Sequence, residues 1–197
     1  MSGTLVLLRH GRTEWAHTGR HTGLTDVPLD EVGEAQARAL GELVGVRAWA
    51  AVVTSPLVRA ARTAELAGLR ATDVDPDLVE WDYGAYEGLT TPQIRERLGT
   101  DWTVFADGTA PGDTSPGESL EQVAARAGAA LDRLRPRLAD GDVAVVAHGH
   151  LLRVLAAVWV GLSPSLGAHL ELDPGSVSEL SEHHGVPTIA SWNVSRS

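Results

Sequence analysis

The chain has 197 residues, 43% of them hydrophobic, enough for one large domain with a substantial core. Its formal charge of −10, from 16 basic and 26 acidic residues, argues against nucleic acid or an anionic membrane as a general partner, and any bound anion requires positive charge concentrated locally. Every basic residue is Arg and Cys is absent, which excludes Schiff-base lysines, a P-loop lysine, thiolate nucleophiles, disulfides and Cys-ligated metals.

The first predicted element is a strand over Thr4–Leu8, an apolar run of the kind covered on both sheet faces. It is too short for a signal peptide, and no stretch reaches the ~20 apolar residues that span a bilayer, so a soluble, cytoplasmic protein is expected. Asp30 is placed to cap a helix with Val32, Leu40 and Leu43 at apolar positions. Ala50–Val53 reads as a second strand. Pro56 lies near the start of a helix running toward Leu66, with Gly68 at its end.

The stretch from about 82 to 117 is rich in Gly and Pro, with a short helical piece near Gln93–Leu98, and reads as an insertion covering a site. Ser119 and Gln122 form a capping box ahead of Leu120, Val123, Ala127, Leu131, Leu134 and Leu138 at helical spacing. Val143–Ala147 is a third strand and Leu151–Val160 a buried helix. Strands are also predicted around His169–Leu172, Val177–Leu180 and Thr188–Trp192. Alternating strands and helices indicate an α/β layered architecture with a mostly parallel sheet, in one domain spanning 1–197.

Three predicted strands end in polar chemistry: Arg9-His10-Gly11, Thr54-Ser55-Pro56 and His148-Gly149-His150. Open α/β sheets bind ligands at the carboxyl ends of their strands, and each of these ends leads into a helix whose first amides favour an anion. "SPLVRAART" adds Arg59 on the first turn of the second helix. Two histidines, two arginines and helix N-termini together describe a phosphoryl pocket. A neutral imidazole is nucleophilic near neutral pH and can accept a phosphoryl group, then yield it to water. Arginine forks hold phosphate oxygens, and a second, protonated histidine adds a donor. The leaving alkoxide needs a proton, and Glu80 in "LVEWDYGAYEG" is the candidate acid, with Asp82 the alternative. A metal held by His148, His150 and His10 is the competing reading, opposed by two arginines that would repel a cation. A binding module retaining the pocket without turnover is another. His183-His184 is expected on an exposed hairpin turn, and Trp81 and Tyr83 under the insertion.

"LLRHG", "SPLVRAARTAE", "EWDYGAYEG" and "VAHGH" occur in an order that resembles the histidine phosphatase superfamily, the phosphoglycerate mutase-like fold, from about Thr4 to Leu162. The resemblance implies a three-layer α/β/α fold with a lid insertion. It also implies His10 as the phosphorylated nucleophile, with Arg9, Arg59 and His148 around the phosphate and Glu80 as proton donor. Thr22, Gly23, Tyr83, Gly149 and His150 match positions that touch substrate. The family needs no metal, so neither metal nor cofactor is expected, and the resemblance suggests a homodimer as one possible assembly.

Cofactor-dependent mutases carry a lysine that falls at Thr91 here, paired arginines that fall at Thr103 and Val104, and asparagines that fall at Ala16 and His150. Only Arg95 or Arg97 is left to compensate. A metal-independent phosphatase acting on small phosphorylated metabolites is therefore favoured over a mutase, within a subgroup of broad acid phosphatases and sugar-bisphosphatases. The residues leave the substrate, the oligomeric state and the roles of His17, His21 and His150 open.

Overall fold

A computed structural model describes residues 3–196. Six strands form one mixed sheet: β1 (Leu5–Arg9), β2 (Trp49–Thr54), β3 (Asp73–Val74), β4 (Asp142–Ala147), β5 (Val177–His183) and β6 (Val186–Val194), in the order β3-β2-β4-β1-β5-β6. The first four run parallel, and β5 and β6 add an antiparallel hairpin beside β1. The helices are α1 (Glu14–His17), α2 (Glu31–Val44), α3 (Val58–Leu66), α4 (Thr91–Leu98), α5 (Val104–Asp107), α6 (Leu120–Leu134) and α7 (Gly149–Trp159).

Side-chain alternation along the strands builds two cores. Leu5, Leu7, Val143 and Val145 face one side, where Leu131 and Leu134 of α6 and Leu152 and Leu155 of α7 cover them. Val6, Leu8, Val52 and Val146 face the other, against Leu40 and Val44 of α2 and Ala60 and Ala64 of α3. The result is helix layers on both sides of a mostly parallel sheet. Both faces of β1 and β4 are buried, which is why their sequences are continuous apolar runs.

Asp30 caps α2 by accepting from Gly33 N at 2.7 Å, and the Ser119–Gln122 capping box starts α6. Val32, placed on the apolar face of α2 from its spacing, is instead 44% exposed; Gly33, Ala37, Leu40 and Val44 face the core. The run His169–Leu172, predicted as a strand, is not one. Ser163 and Pro164 start a 3-10 turn over Pro164–His169, and an irregular segment follows. Within the run, Glu171 O accepts from Trp192 Nε1 and Leu172 O from Arg9 Nη1, so side chains take carbonyls that a ladder would have used. The hairpin turn does hold His183-His184, with His184 and Gly185 at φ 51° and 81°, the left-handed pair that joins strands in a two-residue turn. The 82–117 stretch carries α4 and α5 and buries Ile94, Trp102 and Val104 in the α6/α7-side core.

The glycine of Arg9-His10-Gly11 has a packing reason. A Cβ on Gly11 would lie 2.1 Å from Gly33 O, so the loop after β1 rests backbone-to-backbone on the first turn of α2. No helix among the described residues is long and apolar enough to cross a membrane.

Candidate active site

The parallel strands β2, β4 and β1 end side by side. Ser55 N donates to Val146 O at 3.0 Å and His10 N to Ala147 O at 3.0 Å, so Ser55, His148 and His10 emerge in a row. The rings of His10 and His148 are edge-to-face with centroids 5.1 Å apart. Above them is a cavity of about 100 Å³ lined by Arg9, His10, Glu80, Tyr83, Gly149 and His150, with Thr22 at its rim.

His10 is 5% exposed, and its Nδ1 lies 2.7 Å from Gly11 O. A carbonyl only accepts, so Nδ1 carries the proton and Nε2 keeps its lone pair. Burial, reinforced by Arg59 and Arg9, holds the ring's pKa well below the ordinary value, so it is neutral at physiological pH.

His148 is fully buried and also neutral. Burial and the Arg59 charge lower its pKa, Arg59 Nε donates to its Nδ1 at 3.2 Å, and its Nε2 faces Ser55 Oγ at 2.7 Å. The protonated donor expected from sequence is thus a neutral imidazole in this structure, because no carboxylate stands beside it to offset desolvation and Arg59. Arg59, also fully buried, spreads its fork over Thr25 O at 2.9 Å, Gly23 O at 2.8 Å and Thr22 O at 3.2 Å. Arg59, His148 and Gly23 therefore stand behind the cavity wall. Glu87 holds that loop from the other side, its carboxylate accepting from Gly23 N at 2.9 Å and Thr25 N at 3.2 Å.

Arg9 donates through Nη1 to Leu172 O, while its Nε is buried with no hydrogen-bond partner among the described residues. Gly149 makes room for that guanidinium: a Cβ there would stand 3.1 Å from Arg9 Cζ. Glu80 caps α7 from another segment. Its Oε1 accepts from Trp81 N and Leu151 N, both at 2.9 Å, and its Oε2 from His150 N at 3.0 Å. His148 occupies the capping position but its side chain is engaged elsewhere, so the carboxylate takes the orphan amides. Arg126 of α6 fixes this strap by donating to Val79 O at 2.6 Å and Glu80 O at 3.1 Å. Asp82, the alternative acid, accepts from Gly84 N at 2.9 Å, Ser115 Oγ at 2.6 Å and Gly117 N at 3.1 Å, closing the base of the insertion away from the cavity.

Burial raises the Tyr83 pKa well above its usual value, so its hydroxyl stays protonated, and it shares a hydrogen bond with His150 Nδ1 at 2.5 Å. Burial and Arg153 keep His150 neutral, and burial alone lowers the His21 pKa to about 4. His21, Arg20 and Arg153 also line the cavity; sequence reading left His21 unassigned and missed both arginines. The i,i+4 spacing of Gly149 and Arg153 on α7 was a usable signal, whereas Arg20 sits in a loop that offered none. His17 is exposed and lies near Arg12. The cavity gathers three guanidiniums and one carboxylate in a chain of net charge −10, an anion site built by local concentration.

The buried neutral histidines predict acid sensitivity. Below about pH 6.5 the unfolded chain protonates His10, His21, His148 and His150, while the folded chain resists, so stability is complete above that pH and falls as pH drops toward about 4. Urea midpoints at about pH 7 and about pH 5 should show this fall, and His21→Gln should flatten it by one proton's share.

The geometry defines a phosphoryl-binding α/β enzyme with a histidine at its centre. The family model of the histidine phosphatase superfamily (branch 1) matches residues 5–195, and the chain belongs to that superfamily. An acid phosphatase of Mycobacterium tuberculosis is 42% identical over 188 residues, covering 94% of this chain and 90% of that one. A sedoheptulose 1,7-bisphosphatase of Saccharomyces cerevisiae is 36% identical over 187 residues, covering 80% and 67%. A solved structure of a Mycobacterium tuberculosis open reading frame superposes with TM-score 0.92 at 39% identity over 99% of each chain. Bisphosphoglycerate-dependent phosphoglycerate mutases are relatives as well. With phosphatases at this level of similarity, the chain is a phosphoric monoester hydrolase of the superfamily.

Proposed function

We propose that the protein hydrolyses phosphate monoesters of small metabolites through a phosphohistidine on His10, without a metal ion. The observation that carries this reading is the His10 ring: neutral, with Nδ1–H turned to Gly11 O and Nε2 free in a cavity shared with Arg9 and Glu80. In the first half-reaction Nε2 bonds to phosphorus as the ester P–O bond breaks, and Glu80, entering the step as the protonated acid, gives its proton to the departing oxygen and is left as a carboxylate. In the second, Glu80 takes a proton from water, the water oxygen attacks phosphorus, and the P–N bond breaks to release phosphate. Arg9, whose side chain lines the cavity, brings its guanidinium to the phosphoryl oxygens, and Arg59 and His148 back the same oxygens from behind. A phosphoryl dianion offsets the Arg59 charge and so favours protonation of His148 once substrate is bound. Thr22, Tyr83, Gly149 and His150 contact the rest of the substrate.

A mutase must hold a second anionic group after phosphoryl transfer. Thr91, Thr103, Val104 and His150, where mutases carry cations or asparagine, converge on one adjoining cavity. Arg95 spends its Nε on Trp102 O at 3.0 Å, and neither Arg95 nor Arg97 lines either cavity. Arg20 and Arg153 line the first cavity, but neither stands where mutases carry these groups; on this reading water discharges the phosphohistidine.

Hydrolysis of p-nitrophenyl phosphate is expected to continue unchanged in EDTA, and abolition by the chelator would overturn the metal-free reading. Glu80→Gln is expected to slow alkyl phosphates by about 10²-fold or more, and p-nitrophenyl phosphate far less, since a good leaving group needs no proton. Equal losses for the two esters would remove Glu80 from the acid role.

A further inference from the structure

A second cavity of about 220 Å³ adjoins the first, with His21, His150 and Arg153 as shared wall. Its remaining lining contains Thr91, Trp102, Thr103, Val104 and Phe105, with Ala168 at the edge, and none of these is charged. We propose that this chamber is the leaving-group subsite and that it takes an uncharged planar ring, making phosphate monoesters of ring-bearing alcohols the preferred substrates. The inference rests on the hydrolytic reading and narrows it.

Ring edges and faces surround the space. His21 meets Trp102 at 5.4 Å and Tyr83 at 4.7 Å between centroids, and His150 meets Phe105 at 5.4 Å. Both imidazoles are neutral in the folded protein. Such walls offer the edge-to-face contacts that aromatic rings prefer. The volume is adequate: a dry cavity of about 150 Å³ accommodates benzene.

Part of the walls' hydrogen-bonding capacity is already used within the fold, and the rest of the lining is mostly aromatic or aliphatic. Trp102 Nε1 donates to Gly108 O at 3.0 Å, His21 Nε2 lies 3.2 Å from Thr91 Oγ1, and His150 Nδ1 is hydrogen-bonded with the Tyr83 hydroxyl. Thr103 Oγ1 accepts from Ala106 N at 3.3 Å. A ring set between the Trp102 and Phe105 walls buries apolar surface that a polyol cannot match, which is the term expected to discriminate. The shared cation also points away from a second anion. Arg153 gives two N–H groups to Gly167 O and Ala168 O, and its guanidinium lies 4.8 Å over the Phe105 ring. It completes the aromatic wall and leaves the rest of the chamber without a charge to hold an anion.

The test compares 2-phenylethyl phosphate with ethyl phosphate and glycerol 3-phosphate, alkyl esters whose leaving groups are all poor. The ring ester is expected to show kcat/KM at least about tenfold above both others. Ala168→Phe and Thr103→Trp, at exposed positions on the chamber rim, are expected to bring the ratio of ring ester to ethyl ester close to one. A wild-type ratio near one, or a ratio untouched by both filling variants, would overturn the proposal. Calorimetric titration with the phosphonates 2-phenylethylphosphonate and ethylphosphonate separates this from the hydrolytic reading. If no ester turns over but the ring phosphonate binds about tenfold tighter, the chamber stands and hydrolysis falls; equal affinities sink the chamber itself.

Discussion

His10→Ala is expected to lower kcat for p-nitrophenyl phosphate by about 10⁴-fold or more while leaving the fold intact, because in the proposed mechanism the ring is the nucleophile and the rest of the machinery then has nothing to act upon. Its folding role is small by comparison. The ring is held by one hydrogen bond to Gly11 O and by contact with His148, whereas β1 itself is fixed by β4 and β5. Rapid quenching of wild-type turnover followed by mass spectrometry should find an acid-labile phosphoryl adduct on His10, absent in the variant. Full-speed turnover by His10→Ala would end the covalent mechanism. The depressed pKa adds a signature: His10 remains unprotonated well below pH 6.5, so an acid limb of kcat/KM near that pH belongs to another group or to the substrate.

Arg59→Ala is expected to damage activity and stability together. The fully buried guanidinium ties His148 to the carbonyls of Thr22, Gly23 and Thr25, so its removal orphans buried acceptors and leaves the 22–25 loop held chiefly by Glu87. Breaking a buried network of this kind costs about 3 kcal/mol, readable as a lower urea midpoint. In the proposed mechanism Arg59 also backs the transferring phosphoryl group from behind the cavity wall, and kcat is expected to fall about 10³-fold. Arg59→Lys should retain the charge but not the planar fork, and so recover little of the stability. An unchanged midpoint in Arg59→Ala would show that the loop does not depend on this residue.

The parts of the site legible in the sequence share one feature. Arg9-His10, Ser55 and His148 follow apolar runs directly, and the carboxyl ends of neighbouring parallel strands bring them together whatever the loops do. Arg59 was legible for the same reason, one turn into a helix that follows such a strand. Glu80 and Tyr83 were legible as a motif, but not their geometry. That depends on α7 offering its first amides to a carboxylate from a distant segment, and on a tyrosine hydroxyl reaching His150. Spacing alone misjudged Val32 and His169–Leu172, because the direction of a helix face and the partners of an irregular segment are decided by what packs against them.

Hydrophobic patterning and local capping by themselves determined the layered α/β architecture and which end of the sheet carries the chemistry, since both follow from interactions a few residues apart. Only the tertiary structure decided that His148 is neutral and that Arg59 stands behind the cavity. It also decided that Thr91, Thr103, Val104 and His150, among the positions where mutases carry cations or asparagine, line one chamber with Trp102 and Phe105. Those properties arise from burial and from contacts between residues tens of positions apart, such as Arg59 with His148 and His21 with Trp102, and no local pattern encodes them.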